Sequence, residues 1–405
     1  MGTPISSKFR HLGVSSQIGC DENARPRVVF AVTSSRTVPL LGSIPKLMAE
    51  HGWDVHIIGD IKSDFLEDAT SHNISYHHVR MERGPAPIRD LFSLWHALAF
   101  LKTIRPKLLV TASPKASLLF GFGGFLCRTP QRVYWLIGLR LETVSGYLRR
   151  FLWLSEKLTS LLSHKVLAAS ASLKRRYLEE KLCDPRKISV LGHGSTRGVD
   201  LSVFRPAREE EKTLVLKKAS QLGLSEDVPV IGYFGRIHAD KGIDILDSSR
   251  VILGENGVDH QLLVVGDNEY PGFSFTSREN LRDPIVLESV PDPWTFYHLV
   301  DIFCLPTFRE GLPNVCLEAS ASAVPVITTD ATGAIDSVEN GLNGIVVKVG
   351  SVEQLAAALE NLLKSERTRS EISSRARDWV SSRFQSHAVA DAHLEYFSSL
   401  DRELE

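Results

Sequence analysis

The chain alternates short, β-branched apolar runs with longer segments whose apolar residues recur at helical spacing. In the first half the apolar runs cover residues 28–33, 55–58, 108–111, 133–137 and 166–169. Strands separated by helical segments form parallel sheets with helices on both faces, whereas all-helical and all-β folds lack this alternation. The sequence therefore predicts an α/β protein.

The same pattern restarts in the second half, with apolar runs at 228–234, 261–265, 284–287, 302–305, 324–328 and 344–347. A glycine-rich stretch between the two sets, 191–200, has the composition of a hinge. We predict two doubly wound parallel-sheet domains that face each other across a cleft, where the carboxyl ends of their strands bind ligands. The predicted divisions are a flexible N-terminal extension, a first domain, a second domain and a C-terminal helix that crosses back, at 1–26, 27–192, 193–385 and 386–405.

Charge and cysteine usage exclude several classes of protein. The 47 Lys and Arg residues balance 48 Asp and Glu residues, so the chain lacks the basic field of a nucleic-acid-binding protein. Five scattered cysteines without CxxC spacing indicate neither a disulfide framework nor a zinc site. No apolar run reaches the length of a spanning helix, and the first 25 residues do not resemble a secretory signal. We expect a cytoplasmic protein.

One segment leaves membrane contact open. Residues 146–162 combine aromatic and leucine side chains with Arg149, Arg150 and Lys157. An interfacial helix has this composition, and so does a core helix with a solvated face. The sequence favours neither interpretation by itself.

Two glycine-containing segments are candidates for phosphate binding. The glycines at 121–124 lie about ten residues after the preceding apolar run, which favours close helix packing over a dinucleotide fingerprint. In the stretch 231–242, a buried run leads to Gly235, Arg236 and Lys241. Glycine permits close backbone approach to a ligand, and the two cations could converge on a diphosphate. Two solvated cations on a loop are the alternative.

A third segment, 306–320, carries two carboxylates eight residues apart. Glu310 lies in the loop after an apolar run, and Glu318 falls in a predicted helix that begins near Asn314. The free backbone N–H groups at such a helix start suit an anion. The alternative is a glutamate that interacts with the helix dipole plus one surface carboxylate.

Together these motifs match the sequence pattern of a known enzyme family. Gly-Arg and Lys-Gly at 235–242, followed about seventy residues later by Glu-Gly-Leu-Pro-Asn and a second glutamate, resemble the retaining glycosyltransferases of family 4, which have the GT-B fold. The stretch 333–344 is also typical of that family. The segments 111–116, 133–140 and 194–200 resemble the branch that builds capsular and other cell-surface polysaccharides, and the likeness spans about 27–400.

The resemblance implies roles for individual residues. Arg236 and Lys241 would hold the donor diphosphate and stabilise the charge that develops on it. Glu318 would accept hydrogen bonds from the ribose, and Glu310 would contact the transferred sugar. With Arg236, Lys241 and Glu310 as catalytic residues, the implied donor site comprises Gly235, Arg236, Lys241, Val290, Glu310, Gly311, Leu312, Pro313, Asn314, Val315 and Glu318. The family generally needs no metal, so we expect no cofactor.

The acceptor side departs from the family pattern. Ile137 stands where many members carry a histidine that contacts the donor sugar, and isoleucine cannot form that hydrogen bond. Polar residues nearby, which could replace it or bind the acceptor, are Lys115, Arg140 and Glu142. Arg197 stands where related sequences often have asparagine. The usual acceptors of the branch are sugars on polyprenyl diphosphate, which implies contact with the inner face of the plasma membrane.

The function predicted from these residues is retaining transfer of a sugar from a nucleotide-sugar donor, expected to be UDP-linked, to a lipid-linked sugar acceptor. Alternatives are glycosylation of a soluble secondary metabolite, a GT-B nucleotide-sugar epimerase, and a nucleotide-sugar-binding protein without activity. The sequence carries no signal for an oligomeric state.

Overall fold

The computed structural model describes residues 25–61, 74–82, 84, 86–290 and 292–402. Within them, parallel strands form one sheet of seven and another of six. The predicted N-terminal extension lies outside the described residues except at 25 and 26.

The first sheet has the strand order β3-β2-β1-β4-β5-β6-β7. Its strand order reverses between β1 and β4, which is where an open α/β sheet leaves a ligand crevice. The strands are β1 (Arg27–Ser34), β2 (Asp54–Asp60), β3 (Ile74–His78), β4 (Leu108–Ala112), β5 (Gln131–Leu136), β6 (Lys165–Ala168) and β7 (Ile188–Ser189). The helices of this half are α1 (Ile44–Glu50), α2 (Pro87–Ile104), α3 (Pro114–Leu126), α4 (Gly146–Leu162) and α5 (Ala171–Glu179).

The second sheet has the order β10-β9-β8-β11-β12-β13, with its reversal between β8 and β11. Its strands are β8 (Val230–Phe234), β9 (Gln261–Val265), β10 (Ile285–Leu287), β11 (Ile302–Leu305), β12 (Val326–Thr329) and β13 (Gly344–Val347). The helices that follow α5 are α6 (Glu209–Leu222), α7 (Ile243–Glu255), α8 (Trp294–Tyr297), α9 (Asn314–Ala321), α10 (Val352–Lys364), α11 (Glu366–Phe384) and α12 (Ser386–Arg402).

The last helix, α12, packs on the first sheet although it follows the second. Its Phe397 ring lies 6.2 Å from Phe30 and 6.1 Å from Trp135, centroid to centroid. With α1 it covers one face of the first sheet, and α2, α3 and α4 cover the other face. The chain crosses between the domains twice, and the crossings form a parallel bridge from Val199 to Gln385.

The predicted α/β class with two parallel sheets is confirmed, and the apolar runs did not mark strands β3 and β7. Strand β3 is a half-exposed edge strand of polar composition, and β7 has two residues. Helix α6 has no fully buried residue, and its Val215, Ala219 and Leu222 pack half-buried against the core of the second domain. The glycines at 121–124 lie within α3, where a side chain on Gly124 would meet Leu109 at 2.6 Å.

Helix α4 buries a carboxylate, Glu156, which accepts hydrogen bonds from the Tyr134 and Tyr177 hydroxyls at 3.0 and 3.3 Å. Burial raises the pKa of Glu156 from its ordinary 4.5 to about 7. Because the folded chain holds this proton more tightly than the unfolded chain, the contribution of Glu156 to stability is full below pH 4.5 and is lost as the pH rises through 7. We expect Glu156→Gln to remove about 3 kcal/mol of this pH dependence. Urea unfolding of the parent chain and of Glu156→Gln, at pH 5 and at pH 8, measures the free energy of unfolding. An equal change between the two pH values in both proteins would contradict the prediction.

Candidate active site between the two sheets

A cavity of about 1130 Å³ lies between the two domains. From the first domain, Thr33 at the end of β1 and Ser113 directly after β4 line the cavity. From the second domain, Gly235 and Gly266 line it, and they directly follow β8 and β9. The cavity therefore sits at the carboxyl ends of strands from both sheets, where the sequence predicted a cleft. Of the predicted site residues, those that line it are Lys115, Arg140, Gly235, Arg236, Val290, Val315 and Glu318.

On the wall from the second domain, Arg236 follows β8 directly after Gly235. Its Nη1 donates to Glu269 Oε2 at 2.7 Å, and Arg36 from the first domain also pairs with Glu269. The hydrogen bond from Arg236, with the Arg36 contact and both positive charges, lowers the pKa of Glu269 to about 2. Two guanidinium groups thus share one carboxylate, and the cluster keeps a net positive charge beside the cavity.

Lys241 and Glu310 form an ion pair although 69 residues separate them in sequence. The Lys241 Nζ lies 2.5 Å from Glu310 Oε1, and their side chains are 17% and 14% exposed. Neither residue lines the cavity directly. Their burial argues against the alternative of solvated loop side chains. The sequence predicted that both serve one site, and the fold brings them into contact.

Glu318 points into the cavity from α9, with its side chain 3% exposed. Its Oε1 accepts a hydrogen bond from Arg197 Nη2 at 2.5 Å, and its Oε2 accepts one from the Tyr297 hydroxyl at 2.9 Å. Burial raises the pKa of Glu318, and the charge of Arg197 opposes that rise. Arg197 comes from the predicted hinge, so the residue that departs from the family pattern supports the predicted ribose ligand.

The two domains touch beside the cavity. A Cβ on Gly311 would lie 2.1 Å from the carbonyl oxygen of Ile137, so only glycine permits this backbone approach. Glu142 does not line the cavity; its Oε1 accepts a hydrogen bond from the Thr332 hydroxyl of the other domain at 2.6 Å. The acceptor role of Glu142 stays a prediction, and its observed contact holds the domains together. Lys115 lines the cavity and pairs with Asp90 at 2.6 Å.

Sequence reasoning missed three residues that contact the predicted site: Arg36, Glu269 and Tyr297. Each comes from a segment far along the chain from its partner and carries no motif of its own. The one signal available was position, since Arg36 and Glu269 each follow a strand within a few residues.

The described part of the chain holds neither a metal-binding cluster nor a membrane-spanning helix. Among its residues, no group of three or more His, Cys, Asp or Glu side chains is placed to hold a metal ion. None of its helices combines the length and the apolar character that crossing a bilayer requires.

Two parallel-sheet domains around one cleft define the GT-B fold of glycosyltransferases. Solved structures agree: Anabaena HepE, determined with UDP-glucose, has a TM-score of 0.75 at 19% identity, covering 92% of this chain and 99% of its own. The sucrose-phosphate synthase of Thermosynechococcus elongatus has a TM-score of 0.70 at 19% identity, covering 93% and 99%. At this identity the likeness establishes the fold.

Sequence relatives define the family. The profile described as "Glycosyl transferases group 1" matches residues 216–379. The capsular polysaccharide biosynthesis glycosyltransferase CapM of Staphylococcus aureus is 34% identical, over 90% of this chain and 94% of its own. The UDP-Gal:alpha-D-GlcNAc-diphosphoundecaprenol alpha-1,3-galactosyltransferase of Escherichia coli is 24% identical, over 80% and 85%. The chain belongs to the group 1 glycosyl transferases and is a glycosyltransferase, and the predicted resemblance to the capsular and cell-surface polysaccharide branch is confirmed.

The close approach at Gly311 leads to a prediction about domain closure. Replacing Gly311 by alanine puts a methyl group against the Ile137 carbonyl, so the closed arrangement must open by part of an ångström. Overpacking of this kind costs about 1–3 kcal/mol, and we expect kcat/KM to fall about 5- to 150-fold. Steady-state kinetics measures this, and thermal unfolding serves as the control because each domain core is untouched. Gly121→Ala is the matched variant, because this helical glycine has open space around it and no positive φ. Unchanged kcat/KM in Gly311→Ala would contradict a catalytic need for this closed contact.

Proposed function

We propose that the protein transfers a sugar from a UDP-sugar to a lipid-linked sugar acceptor in cell-surface polysaccharide biosynthesis, with retention of configuration. One observation carries the proposal: the buried carboxylate of Glu318 and the guanidinium of Arg236 face one cavity that the two domains share. A buried carboxylate suits ribose hydroxyls, and a guanidinium suits a diphosphate. A nucleotide diphosphate presents these two groups together.

In this proposal the donor's base lies near Val290, its ribose at Glu318 and its diphosphate at Arg236 and Lys241. Diphosphate oxygens would replace Glu269 and Glu310 as partners of the two cations, which are paired to carboxylates in the unliganded chain. As the glycosidic bond breaks, the cations would stabilise the leaving diphosphate, and Glu310 would contact the sugar that becomes positively charged. The same two cations would supply the charge that a metal ion supplies elsewhere, so the reaction would need no metal.

The acceptor would enter from the first domain, whose Lys115 and Arg140 line the opposite part of the cavity. Asp90 pairs with Lys115 there, so the three side chains leave one net positive charge, which suits an anionic acceptor. The name of the Escherichia coli relative specifies a sugar on diphosphoundecaprenol, and that of the Staphylococcus relative specifies capsular polysaccharide. The first name supports a lipid-linked acceptor, and the second supports a role in polysaccharide biosynthesis.

A donor screen tests the proposal. Release of UDP or GDP is measured for a panel of nucleotide sugars, with and without a lipid extract that supplies polyprenyl-diphosphate sugars. We expect UDP release that depends on the extract, with the anomeric configuration of the donor kept in the product. Turnover of the nucleotide sugar without any acceptor would indicate an epimerase. Release that depends on a soluble hydroxyl compound and not on the extract would contradict a lipid-linked acceptor.

A further inference from the structure

Three adjacent helices of the first domain, α2, α3 and α4, point large apolar side chains outward. Of the twenty large apolar side chains exposed among the described residues, thirteen lie on these helices. They include Phe92, Trp95, Phe125, Tyr147, Phe151 and Leu154. We call the outward surface of residues 87–104, 114–126 and 146–162 the three-helix face. Apolar patches of this kind on soluble proteins mark interaction sites.

The polarity of α4 is inverted relative to that of a helix on a water-facing surface, and α3 is apolar on both faces. Helix α3 buries Leu119 and Phe120 and also exposes Phe125 and Leu126. Helix α4 buries Glu156, Thr159 and Ser160 while Tyr147 is 89% exposed. A helix on a water-facing surface places its apolar side chains inward and its polar ones outward. The inversion indicates that the outward surface meets an apolar environment.

The charges of the face that lack an ion partner are positive. Its helices carry six basic residues, Arg89, Lys102, Lys115, Arg149, Arg150 and Lys157, and two acidic ones, Asp90 and Glu156. Asp90 pairs with Lys115, and Glu156 is buried against two tyrosines. Because Glu82 pairs with Arg89 and Glu180 with Arg149, the cations of the face without an ion partner among the described residues are Lys102, Arg150 and Lys157. The whole chain has a net charge of −1, so this excess of cations is local. Cations beside exposed aromatic and aliphatic side chains complement anionic headgroups over acyl chains.

The face continues into the cavity. Leu148 and Phe151 belong to the exposed surface of α4 and also line the cavity, next to Leu118 of α3. An apolar path therefore runs from the outside of the first domain to the side of the cavity where Lys115 and Arg140 lie. A second copy of the chain docked face to face would bring like charges together, which favours a different occupant.

We propose that the three-helix face docks on an anionic lipid bilayer, so that the mouth of the cavity opens at the membrane surface. The inference rests on the proposed function in one respect: a lipid-linked acceptor would then reach the cavity without leaving the bilayer. Docking itself needs no substrate, which allows it to be tested separately.

The test is sedimentation of the full chain with vesicles of phosphatidylglycerol and phosphatidylcholine, compared with pure phosphatidylcholine. We expect binding to the anionic vesicles that weakens with salt. The double variant Leu154→Glu with Leu161→Glu changes two outer residues of the face that do not line the cavity. Since burying each leucine contributes a factor of about ten, the partition coefficient should fall at least about tenfold. The matched control is Leu214→Glu with Leu216→Glu, two exposed leucines of α6 outside the face, and it should bind like the parent chain.

Several outcomes would overturn the proposal: no vesicle binding by the parent chain, equal losses in both double variants, or a parent dimer that the face variant converts to a monomer without any change in vesicle binding. Circular dichroism of each variant checks that it is folded. UDP release measured without vesicles, with the lipid extract dispersed in detergent as the acceptor source, reports on the proposed function alone, so failure of docking and failure of the glycosyl transfer are distinguishable.

Discussion

Replacing Arg236 or Lys241 by alanine should reduce kcat/KM by about 30- to 1000-fold. This corresponds to about 2–4 kcal/mol of transition-state stabilisation, the loss expected for removing a charged donor from a water-poor site. Arg236 lines the cavity beside Glu318, and the buried Lys241 pairs with Glu310. In the proposed arrangement both cations meet a diphosphate whose charge increases as the sugar leaves.

The structure separates the two variants by their effect on stability. Removing Lys241 leaves Glu310 with its side chain 14% exposed and without its cation, so Lys241→Ala should also lose about 3 kcal/mol of folding stability. Removing Arg236 leaves Glu269 paired with Arg36, and the stability loss should be smaller. The double variant Lys241→Ala with Glu310→Gln should recover stability without recovering activity.

Steady-state kinetics and urea unfolding of each variant measure these effects. The control is Arg282→Ala, because Arg282 lies in the same domain and pairs with Asp259 at an exposed position that does not line the cavity. Its kcat/KM should stay within about twofold of the parent value, as expected for a surface substitution. Near-normal turnover in both Arg236→Ala and Lys241→Ala would contradict the proposed diphosphate site.

The sequence predicted the buried strands well, because a fully buried strand is a continuous apolar run. Strand β9, Gln261–Val265, and strand β11, Ile302–Leu305, were predicted at the residues where they occur. Edge strand β3 was not predicted, because its residues form no continuous apolar run. Helix α6 was not predicted, because the exposed Leu214 and Leu216 obscure the half-buried stripe that begins at Val215.

For the site, local motifs placed Arg236, Glu310 and Glu318 in the loop and helix positions where the structure has them. The ion partners could not be predicted in the same way. Arg36 and Glu269 are 233 residues apart, and their contact exists because two separate sheets face each other. Spacing along the chain carries information about one strand–loop–helix unit, whereas contacts between domains depend on how the units are assembled.

In the unliganded site, ion pairs neutralise the charged side chains that are proposed to bind the donor. Arg236 and Glu318, which line the cavity, and Lys241, which lies beside it, each have a partner of opposite charge. A donor diphosphate that replaces a carboxylate on a cation keeps that cation paired, but the displaced carboxylate then needs a new partner. Arg36 remains as the partner of Glu269, and in the proposed arrangement the hydroxyl groups of the transferred sugar would meet Glu310. Arg197 is different, because in the proposed arrangement it stays on Glu318 while the ribose binds there.

The two glutamates should respond differently to the same substitution. In the proposed arrangement Glu318 binds the ribose, which is present in UDP itself, so Glu318→Gln should weaken UDP binding by roughly 1–3 kcal/mol. The glutamine also leaves the Arg197 guanidinium, whose side chain is 35% exposed, facing a neutral group. Glu310 contacts only the transferred sugar, so Glu310→Gln should lower kcat while UDP affinity stays nearly unchanged.

Calorimetric titration with UDP, beside steady-state kinetics on both variants, distinguishes the two roles. Tyr297→Phe is an informative companion, because it removes the second hydrogen bond to Glu318 and keeps the carboxylate charge. It should weaken UDP binding less than Glu318→Gln does, since the charge-assisted bond to ribose remains. Loss of UDP binding in Glu310→Gln but not in Glu318→Gln would mean that the two roles are exchanged. If neither variant changes UDP affinity or kcat, the carboxylates serve only their ion pairs with Arg197 and Lys241, and the donor site must lie elsewhere in the cavity.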